Sequence, residues 1–437
     1  MKNRDLICEN LSVSEDGVLH FAGQSTAQLA AAYGTPLYLM DEDRIRNRMQ
    51  TYKQGMAEAF GEYGHILYAS KAASFKRIYE IAKEEGVGVD VVSSGEIATA
   101  AAAGFPMEQA YFHSNNKTDA DICYAIEKGV GFFVVDNEEE LLAIDEIAGR
   151  YGKKQPLLLR ITPGIDPHTY AAVNTGTVDS KFGSAIETGQ AEAITRLAMS
   201  LANIDLQGFH CHVGSQVFDT QVPLQTADIM VLFVAEMYRK LGFVTQKLDL
   251  GGGFGVRYTS NDPYMDIAQN LRTVGRRVQE LVAEYDIPMP HIYMEPGRSI
   301  VADAGMTLYT MGTCKRIPGY KSYVSVDGGM TDNPRYILYG SSYTLLPATR
   351  MLEQRNMLCS VVGRCCESGD VIQENVRMPD TLKRGDLIAC LTTGAYNYSM
   401  ASNYNRIPRP ALIMLRGGES FVAIQRETPE DMVRLDT

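Results

Sequence analysis

Three absences narrow what this chain can be. It contains no apolar stretch long enough for a secretory signal peptide or a membrane span, so we expect a cytoplasmic location and no membrane partner. It has no excess of positive charge, because its formal net charge is −12, and nothing favours binding to nucleic acid. It has no Cys-x-x-Cys spacing, and eight cysteines in 437 residues are too sparse for a disulfide scaffold, so we expect free thiols.

The sequence also offers little for a metal ion. His210-Cys211-His212 is the segment that most suggests one. Alternation along a strand, however, points the two histidines to one face and the cysteine to the other. We therefore expect no metal site.

A long central part of the chain alternates strand-like and helix-like patterns. Thr118-x-x-Asp121 predicts the start of one helix and Gly129 its end. Eight β-then-α units are what a (β/α)8 barrel of the TIM type requires, and we assign this barrel to residues 36–305. The eight apolar runs are His65–Ser70, Gly88–Ser93, Ala110–His113, Gly131–Asp136, Leu157–Ile161, Leu206–Val213, Lys247–Leu250 and His291–Met294.

The remainder of the chain predicts a second, smaller domain made of β-strands. Short apolar runs replace helical patterns after about Met306, as in a mostly antiparallel sheet. A hairpin turn at Glu15-Asp16-Gly17 predicts that residues 1–35 contribute strands to the same domain. The fold class is thus α/β, a (β/α)8 barrel plus a C-terminal β domain at residues 306–437 that also takes the N-terminal strands.

In such a barrel the functional residues follow the C-terminal ends of the strands. Lys71 follows the first strand, where burial would lower the pKa of its amine and make it a nucleophile towards an aldehyde. Taken alone, Lys71 is better explained as a strand-end lysine whose ammonium reaches solvent. Gly251-Gly252-Gly253 follows the seventh strand and is either a tight turn or a phosphate cradle, and Gly297 at the next strand end favours phosphate.

Glu295 ends the eighth strand and is open to two interpretations. It could pair with Arg298, or it could lie beside the protonated nitrogen of a ring. A phosphate site, a nucleophilic lysine, a carboxylate for a pyridinium and a histidine that can stack on a ring together indicate pyridoxal 5'-phosphate. A dinucleotide is less favoured, because no Gly-x-Gly-x-x-Gly opens a helix here.

Seven short motifs follow one another along the chain. They are Tyr68-Ala69-Ser70-Lys71-Ala72, His212-Val213-Gly214-Ser215-Gln216, Gly251-Gly252-Gly253-Phe254, Glu295-Pro296-Gly297-Arg298, Val326-Asp327-Gly328-Gly329, Cys366-Glu367-Ser368 and Gly394-Ala395-Tyr396. With these motifs in this order, the chain resembles bacterial diaminopimelate decarboxylases over nearly its whole length. The resemblance implies fold type III of the pyridoxal-phosphate enzymes, with an alanine-racemase-like barrel and a C-terminal β domain. It also implies decarboxylation of meso-2,6-diaminopimelate at its D-configured centre to L-lysine and CO2, the last step of lysine biosynthesis.

The resemblance also implies residues that bind the cofactor. Lys71 would be the Schiff-base lysine, His212 would stack on the pyridine ring, and Glu295 would keep the ring nitrogen protonated. Tyr396 would close over the cofactor. The residues implied around the phosphate are Ser215, Gly253, Gly297 and Arg298.

A further set is implied for the substrate. Arg298, Arg335 and Tyr339 would hold the carboxylate at the end that does not react, since a guanidinium suits a carboxylate. The family resemblance also places Tyr396 beside the substrate. Glu367 would bind the distal ammonium, and Cys366 would be the acid that protonates the carbanion.

In the family, the last two residues come from the partner chain, so the resemblance implies a homodimer with active sites shared across the interface. Two departures from the family pattern stand out. Ser94 replaces a glycine, and Arg364-Cys365 replaces a Pro-x pair before Cys366.

Three alternatives remain at the level of sequence. A related basic amino-acid decarboxylase, or one of the carboxynorspermidine type, would share the fold, but ornithine-type enzymes look like Cys-Asp-Gly where this chain has Cys366-Glu367-Ser368. A non-catalytic homologue would keep the fold without turnover. A racemase is disfavoured, because that family places an arginine at the ring nitrogen where this chain has Glu295.

Overall fold

A computed structural model describes residues 6–165 and 179–437. The chain divides into two compact units. We call the first the β unit, which comprises Met1–Asn47, Val256–Tyr264 and Ile300–Thr437, and the second the barrel unit, which comprises Arg48–Gly255 and Met265–Ser299. The domain boundaries at residues 35 and 305 stay a prediction.

The N-terminal elements of the β unit include a small antiparallel sheet in which β1 pairs with β2 and β2 with β3. The next strand, β4 (Leu37–Asp41), belongs to the larger sheet of this unit, although it lies at the start of the residues that we predicted to form the barrel. All five residues of β4 are buried, as expected for a strand with a neighbour on each side. The first elements of the chain are β1 (Leu11–Val13), β2 (Leu19–Phe21), β3 (Gln24–Ser25), α1 (Thr26–Tyr33), β4 (Leu37–Asp41) and α2 (Glu42–Phe60).

The barrel unit contains the eight predicted parallel strands, and the pairing of the fourth with the fifth closes them into a barrel. The TIM-like fold class is therefore confirmed. A two-residue strand pairs beside the fifth. The strands are β5 (Gly64–Ala69), β6 (Gly88–Val91), β7 (Ala110–Phe112), β8 (Phe132–Val135), β9 (Gln155–Thr162), the short β10 (Ser184–Ala185), β11 (Ile204–His210), β12 (Lys247–Asp249) and β13 (His291–Met294).

Helices alternate with these strands, and their ends follow local signals. Thr118 and Asp121 form the predicted capping box at the start of α5, and Gly129 ends it with φ +74°. One buried cluster, from Leu67 through Tyr111 to Tyr293, draws side chains from five of the strands. The helices are α3 (Lys76–Glu84), α4 (Ser94–Ala102), α5 (Asp119–Lys128), α6 (Glu138–Arg150), α7 (Gln190–Ser200), α8 (Gln221–Leu241) and α9 (Ile267–Tyr285).

The rest of the β unit confirms the mostly antiparallel β domain. Among its described strands the pairing is antiparallel except for β15 (Ser322–Val326) with β17 (Met357–Val362) and β4 with β20 (Ala411–Arg416). Its core also takes Leu11, Leu19 and Phe21 from the small N-terminal sheet. The elements that follow β13 are α10 (Arg298–Val301), whose first two residues belong to the barrel unit, β14 (Gly305–Arg316), β15 (Ser322–Val326), α11 (Arg335–Tyr339), β16 (Leu345–Pro347), β17 (Met357–Val362), β18 (Val371–Met378), β19 (Leu387–Leu391), β20 (Ala411–Arg416) and β21 (Glu419–Ile424). Across the described ranges, no helix has both the length and the apolar character that a membrane crossing requires.

Candidate active site

Lys71 lies just beyond the end of β5, and one acidic residue beside it comes from β6. The amine Nζ lies 3.8 Å from Oδ2 of Asp90, whose side chain is fully buried. The Lys71 side chain is 41% exposed, which agrees with a strand-end lysine whose ammonium reaches solvent and not with a buried amine. The reason is its position on the short turn after β5 rather than within the strand.

Asp90 is a residue that the sequence analysis missed. Neither of its carboxylate oxygens has a hydrogen-bond partner in the part of the chain that the structure describes. Burial raises the pKa of Asp90, and the charges of His113 and Lys71 oppose that rise. Because a buried carboxylate without hydrogen bonds is costly, its position beside Lys71 indicates an electrostatic role towards this amine.

Glu295 follows β13 and contacts an imidazole with each carboxylate oxygen. Nε2 of His113 lies 2.7 Å from Oε1, and Nε2 of His210 lies 3.1 Å from Oε2. Burial would raise the pKa of Glu295, but its interactions with the two histidines outweigh burial and hold the pKa well below its usual range. Burial lowers the pKa of His210 to about 3, so a neutral ring meets the carboxylate. Glu295 is therefore an anionic acceptor in a buried site.

His113, His210 and Glu295 also form a group that the sequence analysis did not foresee. Their ligand atoms lie within 4.8 Å of one another, close enough to hold a metal ion. Each imidazole lies against one carboxylate oxygen, although His113 Nε2 and Glu295 Oε1 do not form a hydrogen bond with any described residue. The signal available in the sequence was His113 at the end of the third apolar run.

The predicted phosphate cradle is a loop where only glycine fits. Gly253 has φ +113°, and a Cβ there would lie 2.3 Å from the carbonyl oxygen of Gly214. A Cβ on Gly297 would lie 2.9 Å from Ala69. Side chains are thus excluded from this rim, which leaves backbone groups to face an anion.

Three further predicted residues lie on the barrel unit with fixed orientations. His212 accepts a hydrogen bond at Nδ1 from the Gly252 N–H at 3.2 Å. Burial lowers the pKa of His212 well below its usual value, so the ring is neutral. Arg298 is buried, and its Nε donates to Oγ of Ser215 at 3.1 Å.

In the β unit, Arg335 is a buried cation that lies among aromatic rings. Its guanidinium carbon lies 5.1 Å from the ring centre of Tyr339 and 5.0 Å from that of Tyr396. Its Nε has no hydrogen-bond partner within residues 6–165 and 179–437, and one terminal nitrogen reaches only the sulfur of Met400. The site therefore contains a buried guanidinium that can still donate hydrogen bonds to an anion.

Cys366 and Glu367 lie together on an exposed loop of the β unit. The Cys366 N–H donates to Oδ1 of Asn405 at 2.8 Å. Glu367 accepts from the Gly369 N–H at 3.3 Å, and this interaction, with one from Ser368, lowers its pKa. Both residues thus lie on a loop whose backbone is held in place by hydrogen bonds.

The departure at Arg364-Cys365 leaves this loop anchored. The Cys365 N–H donates to Oδ2 of Asp370 at 2.7 Å, and the Arg364 N–H donates to Gly328 O at 3.0 Å. Burial, together with Asp370, raises the pKa of the Cys365 thiol to about 11. Of the two adjacent cysteines, only Cys366 is exposed.

The fold and this rim geometry are matched by a known family. The family model described as pyridoxal-dependent decarboxylase, pyridoxal binding domain, matches residues 42–302. The structure thus belongs to the class of pyridoxal-phosphate-dependent decarboxylases with a barrel.

Individual relatives narrow this class. Diaminopimelate decarboxylase of Bacillus subtilis (strain 168) is 43% identical over 423 residues, which cover 97% of this chain and 96% of the relative. A crystal structure of diaminopimelate decarboxylase from M. jannaschii with L-lysine is similar with a TM-score of 0.89 at 30% identity, covering 98% of each chain. The Helicobacter pylori enzyme, also with L-lysine, gives a TM-score of 0.84 at 31% identity, over 94% of this chain and 98% of that one. The chain belongs to the diaminopimelate decarboxylase family.

The cofactor of this family is pyridoxal phosphate, and residues of the barrel unit fit it. The glycine-only loop at Gly253 suits a phosphate, and the anionic Glu295 suits a protonated ring nitrogen. The neutral ring of His212 is held in one orientation, as stacking on a pyridine requires. Lys71, at the end of the first barrel strand, has an amine that could react with the cofactor's aldehyde.

Proposed function

We propose that this enzyme removes CO2 from meso-2,6-diaminopimelate at its D-configured centre and releases L-lysine, as the last step of lysine biosynthesis. The enzyme is a carboxy-lyase. The observation that supports this substrate best is Arg335, a buried guanidinium between two tyrosine rings whose Nε has no partner among the described residues. A substrate with a second, unreactive carboxylate would complete this site.

In the barrel unit we assign each residue one task. Bound pyridoxal phosphate supplies an electron sink for the pair released when CO2 leaves. Lys71 provides the amine that binds its aldehyde, and Asp90 stabilises the ammonium form of that amine when it is free. Glu295 accepts the ring N–H and keeps it protonated, because two imidazoles preserve its negative charge.

The remaining barrel residues bind and orient. Ser215, Gly253, Gly297 and Arg298 surround the phosphate in this proposal, and the Arg298 side chain extends to the substrate carboxylate. The hydrogen bond from Arg298 to Ser215 therefore connects a side chain at the phosphate with one that also reaches the substrate carboxylate. His212 covers one face of the ring and thereby excludes water from it.

The β unit supplies the groups that bind the end of the substrate that does not react. Arg335 and Tyr339 bind its carboxylate, Tyr396 closes over cofactor and substrate, and Glu367 binds its ammonium. Cys366 donates the proton that replaces CO2. Its exposure supports this role, because the thiol can reach a ligand that its own unit does not hold.

We further propose that the enzyme is a homodimer whose active sites each take Cys366 and Glu367 from the partner subunit. Both residues lie exposed on a loop whose backbone is fixed by Asp370 and Asn405. A fixed and exposed reactive pair is suited to insertion into another chain. A cytoplasmic location is part of the same proposal.

A substrate panel tests the reaction. Purified protein with pyridoxal phosphate is given diaminopimelate, ornithine, arginine and lysine in separate reactions, and CO2 release is measured. We expect release from diaminopimelate alone, and none from the Lys71→Ala variant. Release from ornithine or arginine but not from diaminopimelate would replace the proposal by the related basic amino-acid decarboxylase, and no release from any would favour a non-catalytic homologue.

A further inference from the structure

Asp332 is a buried acidic residue of the β unit that the proposed mechanism does not use. Its side chain is 1% exposed. Its Oδ1 accepts a hydrogen bond from the Tyr309 hydroxyl, and its Oδ2 accepts one from the Gly329 N–H at 2.9 Å. Both carboxylate oxygens are thus occupied by donors from β14 and from the turn that contains Asp332.

The backbone around Asp332 is anchored as firmly as its side chain. The N–H groups of Asp332 and Asn333 both donate to Gly329 O, at 3.1 and 2.8 Å. The Tyr38 hydroxyl donates to Asp332 O at 2.6 Å and so connects the turn to β4. The turn 329–333 is therefore fixed to two strands of the sheet at the same time.

Gly328 makes this close packing possible. A Cβ at this position would lie 2.2 Å from the Tyr309 ring and 2.7 Å from Oδ2 of Asp332. Any larger residue would push the tyrosine and the carboxylate apart. The local sequence is thus arranged around the contact between Tyr309 and Asp332.

The anchored turn leads directly into α11, whose first residue is Arg335. Pro334 precedes it, and the Leu338 N–H donates to Pro334 O at 3.0 Å. The guanidinium itself rests on two rings and a sulfur, which orient it less sharply than hydrogen bonds to oxygen would. Its position therefore depends on the backbone that carries it.

We propose that Asp332, through its hydrogen bonds to Tyr309 and Gly329, is a positioning residue that fixes Arg335 for the distal carboxylate of the substrate. This inference rests on the proposed function, because it assumes that Arg335 binds that carboxylate. Asp332 does not touch substrate or cofactor in this scheme and acts only through Arg335.

The test compares steady-state kinetics of Asp332→Asn and Tyr309→Phe with those of the unaltered enzyme loaded with pyridoxal phosphate. We expect KM for diaminopimelate to rise about 10-fold in each variant while kcat changes less than about 2-fold, since binding rather than chemistry is affected. Tyr309→Phe keeps the carboxylate and is the milder change, so it gives a result even where Asp332→Asn folds poorly.

Asp386→Asn is the matched control for a merely structural effect. Asp386 is also a buried carboxylate of the β unit, and it accepts from the Lys383 N–H at 2.8 Å and from Arg350 at 2.7 Å. Its replacement should lower the melting temperature and leave KM unchanged. Equal KM values for the Asp332→Asn and Asp386→Asn enzymes would overturn the inference.

The Arg335→Met background separates this inference from the proposed function. Because Asp332 acts through Arg335, adding Asp332→Asn to Arg335→Met should raise KM no further, whereas independent effects would multiply. If Arg335→Met itself leaves KM unchanged, the proposed carboxylate site is wrong. If Arg335→Met raises KM and Asp332→Asn does not, only the positioning role is wrong.

Discussion

Glu295 in the barrel unit and Asp332 in the β unit are both buried carboxylates, yet their pKa values move in opposite directions. Burial acts to raise both. Two imidazoles beside Glu295 outweigh burial and hold its pKa well below the usual range. Asp332 is met by neutral donors from Tyr309 and Gly329, and its pKa is raised to about 7. Partners, rather than depth, decide the charge of a buried acid.

The difference matches the tasks that we assign to the two units. The barrel unit keeps a negative charge where a protonated ring nitrogen needs one. The β unit instead uses a carboxylate as an anchor and leaves the positive charge of Arg335 for the substrate. In this proposal the barrel unit supplies a negative charge at Glu295, and the β unit fixes the position of Arg335.

Lys71→Ala should cause the largest loss of activity, because it removes the side chain that we assign to cofactor attachment in the barrel unit. We expect CO2 release to fall on the order of 10⁴-fold, because in our proposal the lysine provides the covalent link to the cofactor. The visible absorbance of bound cofactor should disappear with it. Lys76→Ala, at the start of α3, is the matched control and should keep both signals.

Glu295→Gln tests most directly whether the negative charge of Glu295 is needed, because the glutamine removes the charge and keeps the shape of the side chain. We expect kcat to fall roughly 100- to 1000-fold, with KM changed little, since an uncharged amide cannot hold the ring nitrogen protonated. Steady-state kinetics at pH 7.5 and cofactor absorbance measure this. Unchanged kcat would show that the anionic state of Glu295 is not used.

The adjacent cysteines provide a matched pair within the β unit. Cys366→Ala should lower kcat about 100-fold, as expected for loss of a general acid. Cys365→Ala should change kcat less than about 3-fold, because that thiol has a pKa raised to about 11 and is partly buried. Equal losses in both variants, measured by CO2 release, would contradict the assignment of Cys366.

The smallest effect is a pH dependence of stability that should separate Asp332 from Glu295. The folded pKa of Asp332 is about 7 against 3.8 for the free group, so the folded state holds a proton that the unfolded state has lost. Its contribution to stability is thus fully present below about pH 4 and is lost as pH rises through 7, by at most about 1.4 kcal/mol per pH unit.

Urea unfolding between pH 5 and 7 measures this contribution. The free energy of unfolding of Asp332→Asn should gain about 2 kcal/mol relative to the unaltered protein over that range. Glu295→Gln should show little such change, because a carboxylate with a lowered pKa loses its contribution only at lower pH. Parallel pH curves for Asp332→Asn and the unaltered protein would contradict the raised pKa.

Local signals in the sequence predicted the elements of the fold better than they predicted the contacts of the site. The last barrel strand was predicted at His291–Met294 and is observed there, and the cap at Thr118 was also found. These features depend on patterns within a few residues. Strand β4 was not among the predicted strands, because it pairs with β14 and β20, which lie far along the chain.

The contacts of the site depend on residues that are distant in sequence. Asp90 and the two histidines beside Glu295 come from different strands, and their roles follow only from the barrel closure. The exposure of Lys71 likewise follows from the turn after β5. The roles of the predicted site residues stay predictions that the variants above test.

A complementation experiment tests most directly whether each active site combines Lys71 of one subunit with Cys366 of the other. Inactive Lys71→Ala and inactive Cys366→Ala proteins are mixed in equal amounts, allowed to exchange subunits, and assayed for CO2 release from diaminopimelate. If each site takes Lys71 from one chain and Cys366 from the other, mixed dimers contain one intact site, and activity should return to about a quarter of the unaltered level. If both residues serve the same site from one chain, mixing restores no activity, and the shared-site account is wrong.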